Sequence, residues 1–197
     1  MKWSCSSLTS PESAPLVLAS RSPQRRAILE QLGVVFSVLA PRVEELHHGP
    51  PERAAVENAV RKARAVADVA ATSTVLGVDT VVYLGDHIYG KPADAVEARA
   101  TVAALSGERH VVISGVCVID RGGLRTAAAQ TAVRFRPLSA ELIEWYVASG
   151  EWSERAGGYA IQGRGAALVE AIDGDYTNVV GLPVPTLLEL LPGLLTG

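Results

Sequence analysis

The segment from Thr74 to Leu84 is almost continuously apolar, yet it carries one acidic residue, Asp79, near its centre. A short apolar run that ends in a turn, here Gly85-Asp86, is typical of a buried strand. A carboxylate buried there without a partner would be costly, so Asp79 needs a cation or several donors. The segment predicts either a metal or proton-transfer site at a cleft, or a structural aspartate satisfied by backbone amides.

Strand-like and helix-like segments intermix along the rest of the chain. Glycine pairs such as Gly122-Gly123 indicate a hairpin, and apolar residues at i, i+3, i+4 spacing indicate helices. This pattern predicts an α/β fold with a mixed sheet. The predicted strands are 15–19, 34–40, 74–84, 87–90, 110–120, 124–136 and 166–172, and the predicted helices are 23–32, 52–71, 94–105, 139–148 and 183–191.

Composition limits the classes of partner. The 197 residues are 48% hydrophobic and 20% charged, which suits a single domain over 15–197, with 1–14 expected to be a disordered tail. A net charge of −3 without a basic tract argues against a nucleic-acid polymer as partner. No apolar run approaches the ~20 residues of a membrane helix. The two cysteines, Cys5 and Cys117, leave a disulfide open, but a reduced, cytoplasmic protein is favoured.

The basic segment from Ser20 to Arg26 predicts an anion-binding helix start. Ser22 before Pro23 suits an N-cap followed by proline at the first helical position, and free amides there favour an anion. Arg25 and Arg26 point about 100° apart on a helix and cannot both face one ligand. We assign Arg25 to a phosphate and Arg26 to a structural ion pair; a solvated helix start is the alternative.

Two further segments carry charges that suit the same site. In Gly90-Lys91-Pro92, the proline restricts Lys91 to extended conformations, which aims an ammonium as phosphate binding needs, although a plain surface turn has the same pattern. One of Glu44 and Glu45 can join Asp79 around Mg²⁺ or Mn²⁺, because hard cations choose oxygen ligands.

Other polar candidates have ordinary structural alternatives. Lys62 lies at the border of a helix's apolar stripe, where it reaches into a cleft or extends to water. Gln162, in a glycine-rich loop, can donate and accept, which suits either a base edge or solvent. We interpret Trp152 and Tyr159 as packing residues, and His47-His48 as solvated.

The ordered motifs resemble those of the Maf family of nucleoside triphosphate pyrophosphatases. The resemblance runs from about Leu16 to Leu191, nearly the whole chain. The motifs are Leu-Ala-Ser-x-Ser-Pro-x-Arg-Arg at 18–26, Gly-x-Asp-Thr-Val-Val at 77–82, Gly90-Lys91-Pro92, Leu105-Ser106-Gly107, Ile161-Gln162-Gly163, Gly174-Asp175-Tyr176, and Asn-Val-Val-Gly-Leu-Pro at 178–183.

The resemblance implies a fold similar to inosine triphosphatases, with two lobes around a cleft, often as a homodimer. It implies cleavage between the α- and β-phosphates, giving a nucleoside monophosphate and pyrophosphate. By position, Asp79 resembles the general base, and Glu45 with Asp79 the metal pair. The remaining implied contacts are Ser20, Arg25, Lys62 and Lys91 to phosphates, and Gln24, Thr80 and Gln162 to the base. We expect Lys91, with Arg25 and the metal, to stabilise the charge that develops on the phosphate oxygens in the reaction.

The chain departs from the family pattern at one specificity position. The branch acting on dTTP and UTP usually carries arginine where this chain has Gln24. The 7-methyl-GTP branch tends to carry an aromatic there and lacks the Ile-Gln-Gly signature. Thr80 and Gln162 therefore favour pyrimidines, and Gln24 leaves the preferred base open. Arg42 to Glu45 also differs from the commoner Asp-Val-Asp-Glu but keeps its final glutamate.

These observations lead to one main expectation and one alternative. The expectation is a Mg²⁺- or Mn²⁺-dependent pyrophosphatase for nucleoside triphosphates, with a house-cleaning role against non-standard nucleotides. The alternative is a non-catalytic nucleotide-binding regulator of septum formation or cell division. Asp79 with Glu45 discriminates between them, because a binding module needs cations but no metal-binding carboxylates.

Overall fold

The computed structural model describes residues 15–46 and 48–196, and it has the mixed α/β architecture that the sequence predicts. The predicted tail, Cys5 and His47 lie outside the described residues. The strands are β1 (Leu16–Ala19), β2 (Phe36–Val38), β3 (Thr74–Leu84), β4 (His87–Tyr89), β5 (Arg109–Asp120), β6 (Gly123–Phe135) and β7 (Val169–Asp173). The helices are α1 (Pro23–Gln31), α2 (Pro51–Ala67), α3 (Ala95–Leu105), α4 (Ala140–Val147), α5 (Tyr176–Val180) and α6 (Val184–Leu190).

Strand β3 is the centre of the seven-stranded sheet, whose order is β2-β1-β3-β5-β6-β7. Strand β5 pairs antiparallel with one edge of β3, from Val75 to Tyr83. The other edge is shared, because β1 pairs in parallel with 74–77 and β4 pairs antiparallel with 82–84. Residues 78–81 therefore have no strand partner on this edge within the described chain. The sheet opens at this gap, next to Asp79.

Helix α2 lies close against the sheet because glycines face it. Any Cβ at Gly77 would meet the backbone of Ala59, and one at Gly115 would meet the backbone of Ala55. Gly77 and Asp79 point to the same face of β3, since side chains alternate along a strand. The close approach therefore brings the polar residues of α2 within reach of Asp79.

The opposite face of the sheet and its far end are covered by the other helices. Leu76 and Val78 of β3 pack in a buried cluster with Leu29 of α1 and Leu187 of α6. A second cluster, around Phe135 and Tyr146, joins the end of the sheet to α3 and α4. These apolar contacts supply most of the stabilisation that fixes the helices around the gap.

The predicted elements agree with the structure except at several ends and at one helix. The cap predicted at Ser22 is confirmed, and Asp94 and Ser139 cap α3 and α4 in the same way, each side-chain oxygen accepting from a backbone N–H. Strand β2 is shorter than predicted, helix α2 ends at Ala67 rather than Ala71, and β7 begins at Val169 rather than Ala166.

Helix α5 was not predicted. Its β-branched residues, such as Thr177 and Val179, disfavour a helix in isolation. Asp175 compensates by capping it, with Oδ1 accepting from Thr177 N at 2.7 Å.

The state of one cysteine and the length of the helices are two further features of the fold. Cys117 is a free, fully buried thiol in β5, and burial raises its pKa to about 11. Within the described residues, every helix is too short or too polar to cross a membrane.

Candidate active site

A cleft of about 750 Å³ lies at the gap in the sheet, within the usual size range of small-molecule sites. Its walls include every residue that the sequence assigned to the site. The lining contains Ser20, Gln24, Arg25, Glu45, Lys62, Asp79, Thr80, Lys91 and Gln162. These nine candidate residues therefore converge in space, although they are far apart in the chain.

Asp79 is 5% exposed and is satisfied by side chains. Lys62 Nζ lies 2.5 Å from its Oδ1, and Asn58 Nδ2 donates to its Oδ2 at 2.9 Å. The observed partners thus differ from the backbone amides of the structural alternative. A charge-assisted pair of this kind offsets the cost of burying the carboxylate.

Lys62 enters the cleft and does not extend to water, so of the two orientations that the sequence allowed, the structure has the inward one. It is 7% exposed, and its Nζ also lies 2.8 Å from Glu45 Oε1. One ammonium therefore holds two carboxylates together. Burial raises the pKa of Glu45, but attraction from Lys62, Lys91 and Arg25 outweighs this effect, so its pKa is lowered overall.

Glu45 reaches the cleft because the irregular segment that carries it is tied to α2. Asn58 accepts from Leu46 N at 2.7 Å and donates to Leu46 O at 3.1 Å. Glu44 is exposed, and its carbonyl accepts from partly exposed Arg61. Of the two glutamates left open by the sequence, the structure places Glu45 beside Asp79.

Arg25 is 8% exposed and is anchored by three hydrogen bonds. Its Nε donates to Gly181 O at 2.8 Å, Nη1 to Ser20 Oγ at 3.1 Å and Nη2 to Thr80 Oγ1 at 3.0 Å. A guanidinium has five N–H donors, so two remain for an anion. Burial lowers the pKa of Arg25, an effect that Asp79 and Glu45 partly oppose. Arg26, by contrast, forms the predicted exposed ion pair, with Glu30.

Gly181, the carbonyl partner of Arg25, is held in place by α5. Asn178 is fully buried and donates to Val112 O at 3.1 Å and to Thr131 Oγ1 at 3.0 Å. Gly181 then ends the helix with φ 125°, a conformation that residues with a Cβ rarely adopt. The motif at 178–183 therefore builds one wall of the site through its backbone.

Lys91 lies on the opposite wall, at the end of β4. Its Nζ is 3.3 Å from Glu154 Oε2, and both side chains are largely exposed. An exposed pair of this kind contributes little to stability and is easily exchanged for a stronger anion. Glu154 itself has φ 59°, which is uncommon for a residue with a Cβ.

The three candidate base-reading residues lie at different depths. Gln24 is partly buried, and its Oε1 accepts from Ser22 Oγ at 2.9 Å. Thr80 Oγ1 lies 2.9 Å from Ser114 Oγ. Gln162 is exposed at the rim. Trp152 and Tyr159 pack against the apolar cluster, as the sequence predicted.

The residues present suit a hard divalent cation that is completed by a substrate. Within 15–46 and 48–196, no three His, Cys, Asp or Glu side chains cluster as a ready ligand set. Glu45 and Asp79 nevertheless converge on one point, at Lys62 Nζ. Mg²⁺ is commonly held by one or two carboxylates together with substrate phosphates, so this pair fits.

Sequence reasoning missed three contributors. Asn58 lies on the buried stripe of α2, where an asparagine is a signal because buried amides need partners. Gly181 contributes a carbonyl, which no side-chain pattern reveals. Arg155, adjacent to the glycine-rich loop, also lines the cleft.

The fold and cleft define an α/β protein that joins cations and paired carboxylates at an open sheet edge. The family model for Maf-like proteins matches residues 15–194, and the chain belongs to this family.

Relatives named dTTP/UTP pyrophosphatase cover most of the chain. The protein from Symbiobacterium thermophilum is 45% identical over 178 residues, 89% of this chain and 92% of the relative. That from Anaeromyxobacter is 49% identical, covering 89% and 87% of the two chains. That from Pyrococcus furiosus is 42% identical, covering 89% and 93%.

Proposed function

We propose that this protein is a nucleoside triphosphate pyrophosphatase that acts on dTTP and UTP with the help of Mg²⁺ or Mn²⁺. The observation that carries the proposal is the contact of one buried ammonium, Lys62, with both Asp79 and Glu45 inside a cleft. The names of the curated relatives support the reaction and the two pyrimidine substrates.

Asp79 is the residue we assign to water activation. Its carboxylate is buried and oriented from two sides, by Lys62 and Asn58, which suits a general base of fixed direction. Water attacks the α-phosphorus, its proton passes to Asp79, and the bond from the α-phosphorus to the bridging oxygen breaks. The products are the nucleoside monophosphate and pyrophosphate.

The cations bind the phosphates and stabilise the charge that develops on them. Arg25 keeps two N–H donors beyond its three anchoring bonds, and Ser20 adds a hydroxyl beside it. Lys91 approaches from the other wall and can exchange Glu154 for a phosphate. Lys62 becomes a further phosphate contact when a phosphate competes with Asp79 and Glu45 for its ammonium. Fixed charges aimed at the transferring group are the main catalytic device of such enzymes.

Glu45 and Asp79 are the residues that would hold the divalent ion, together with substrate phosphates. When bound, such an ion neutralises phosphate charge and polarises the phosphoryl oxygens. The low pKa of Glu45 keeps this carboxylate ionised and available as a ligand at neutral pH.

Base preference is assigned to Gln24, Thr80 and Gln162. Exposed Gln162 can both donate and accept, which suits the amide edge of uracil or thymine. Gln24 cannot supply the charge of the arginine usual in the dTTP and UTP branch, so modified pyrimidines belong in the test. We also propose that the protein is a homodimer and that it is located in the cytoplasm. Light scattering tests the first proposal, and cell fractionation tests the second.

The experiment is a substrate screen of the purified protein with Mg²⁺, Mn²⁺ or chelator. The panel contains canonical, methylated and deaminated triphosphates, and the products are separated by ion-exchange chromatography. The proposal expects monophosphate and pyrophosphate in equal amounts from dTTP and UTP, and no turnover with chelator. Tight binding without product contradicts it and favours a non-catalytic nucleotide-binding regulator, whereas diphosphate and orthophosphate as products contradict the assigned bond.

A further inference from the structure

Among the described residues, five cationic side chains line the cleft, and they differ in what compensates their charge. Arg25, Lys62 and Lys91 each contact protein oxygens. Arg21 is exposed, so water solvates it. Arg155 is the exception, because it is only partly exposed and its buried Nε has no hydrogen-bond partner among the described residues.

A guanidinium that is partly withdrawn from water and lacks a partner is unfavourable unless an anion arrives. Burial lowers the pKa of Arg155, and nearby Tyr146, Glu151 and Glu154 only partly oppose this effect. No salt bridge joins Arg155 to either glutamate within the described residues. The fold therefore places a guanidinium at the wall of an open cleft, where nearby carboxylates compensate its charge only in part and its buried Nε has no hydrogen-bond partner among the described residues.

The position of Arg155 is fixed relative to Lys91. Gly157 N donates to Gly90 O at 3.0 Å, so the turn that follows Arg155 is joined to the residue before Lys91. Both cations therefore lie on the β4 side of the gap, whereas Arg25 follows β1 on the other side. Asp79 lies between the two sides.

We infer that Arg155 is a further substrate-binding residue, which together with Lys91 holds the β- and γ-phosphates that leave as pyrophosphate. The inference rests on the proposed function for the identity of the substrate. Arg155 is assigned to the leaving pyrophosphate because this half carries most of the substrate's negative charge, and Arg155 is a cation without a salt-bridge partner among the described residues. Arginine also suits this role since its donors match phosphate oxygens in pairs.

The test compares affinities for the two halves of the substrate in Arg155→Gln. Calorimetry measures binding of inorganic pyrophosphate with Mg²⁺, and separately of dTMP. We expect pyrophosphate to bind at least about 10-fold more weakly, the loss of one charged hydrogen bond, with dTMP affinity changed less than about 2-fold. Arg164→Gln is the matched control, because Arg164 stacks over Trp145 at 5.7 Å. Unchanged pyrophosphate affinity, or an equal loss for dTMP, overturns the inference.

A second measurement uses the unaltered protein, in case the variant folds poorly. Phenylglyoxal modifies accessible arginines, and mass spectrometry follows Arg155 and Arg164 separately. Pyrophosphate should slow modification of Arg155 and leave Arg164 unaffected; equal rates at Arg155 with and without pyrophosphate contradict the inference. Both measurements need no turnover, so a protein that binds pyrophosphate through Arg155 without hydrolysing any triphosphate would refute only the proposed function.

Discussion

Lys62 Nζ lies 2.5 Å from Asp79 Oδ1, and both residues are less than a tenth exposed. This buried pair connects the stability of the fold to the chemistry of the cleft. The ammonium holds the candidate base and, through Glu45, the second candidate metal ligand.

Removal of the Lys62 charge should destabilise the protein strongly. Lys62→Met leaves Asp79 and Glu45 close together without their shared cation, and breaking a buried pair from one side costs about 3 kcal/mol or more. Urea unfolding at pH 7 measures the free energy of unfolding. Lys91→Met is the matched control, because it removes only an exposed pair with Glu154 and should change stability by less than about 1 kcal/mol. Equal effects of the two variants contradict this account.

Addition of one methyl group at Gly115 should separate α2 from the sheet. Its Cβ would overlap the backbone of Ala55, and backbone cannot move aside as a side chain does. We expect a loss of about 1–3 kcal/mol in unfolding free energy, and lower turnover because Lys62 moves away from Asp79. Gly193→Ala serves as control, since nothing lies within 4 Å of its added Cβ. Unchanged stability in Gly115→Ala contradicts the proposed close contact.

Buried His110 should make the protein less stable in mild acid. Its Nε2 lies 3.0 Å from the Tyr159 hydroxyl, and burial lowers its pKa from 6.5 to about 4. The unfolded chain therefore binds the proton more tightly, so this contribution is present above pH 6.5 and is lost as pH falls towards 4. Unfolding free energies at pH 7 and pH 4.5 should differ by about 2 kcal/mol more in the parent than in His110→Gln. Identical pH dependence in both proteins contradicts the lowered pKa.

Glu151 should act on substrate affinity through the loop that carries Gln162. Its Oε2 accepts from Arg164 N at 2.7 Å, and Tyr146 Oη accepts from Ala160 N at 3.1 Å, so the loop is held on both sides of Gln162. Glu151→Ala should raise KM for dTTP about 10-fold with a smaller change in kcat, since one anchoring bond is lost. Exposed Glu189→Ala is the control. Steady-state kinetics that show kcat falling with KM unchanged contradict a positioning role.

Much of the site was predictable because polar residues interrupt apolar patterns there. Asp79 within a buried strand needed a partner, and the proline-flanked Lys91 and the capped start of α1 suited phosphates. These signals are local, so the sequence marks the residues as candidates, but the resemblance to the Maf family was needed to choose between a role in the site and an ordinary structural role. Their convergence in one cleft follows from the gap between β1 and β4, which the sequence did not indicate.

The remaining features depend on tertiary contacts. Whether Lys62 extends to water or turns inward is decided by Gly77 and Gly115, which let α2 approach the sheet. Asn58 belongs to the site because its side chain donates to Asp79 and also bonds the backbone of Leu46, next to Glu45. Helix α5 opposes its own residue propensities and forms because Asp175 caps it and Asn178 anchors it.

The central claim is that Asp79 activates water in a cleft built to hold a polyphosphate. The most direct measurement is pyrophosphate release from dTTP by Asp79→Asn with Mg²⁺, with calorimetric binding of the nucleotide measured on the same variant. We predict that turnover falls at least about 100-fold, as expected for loss of a general base, while the nucleotide still binds. Asp68→Asn, at an exposed helix end, should keep full turnover. Turnover of Asp79→Asn close to that of the parent would contradict the claim.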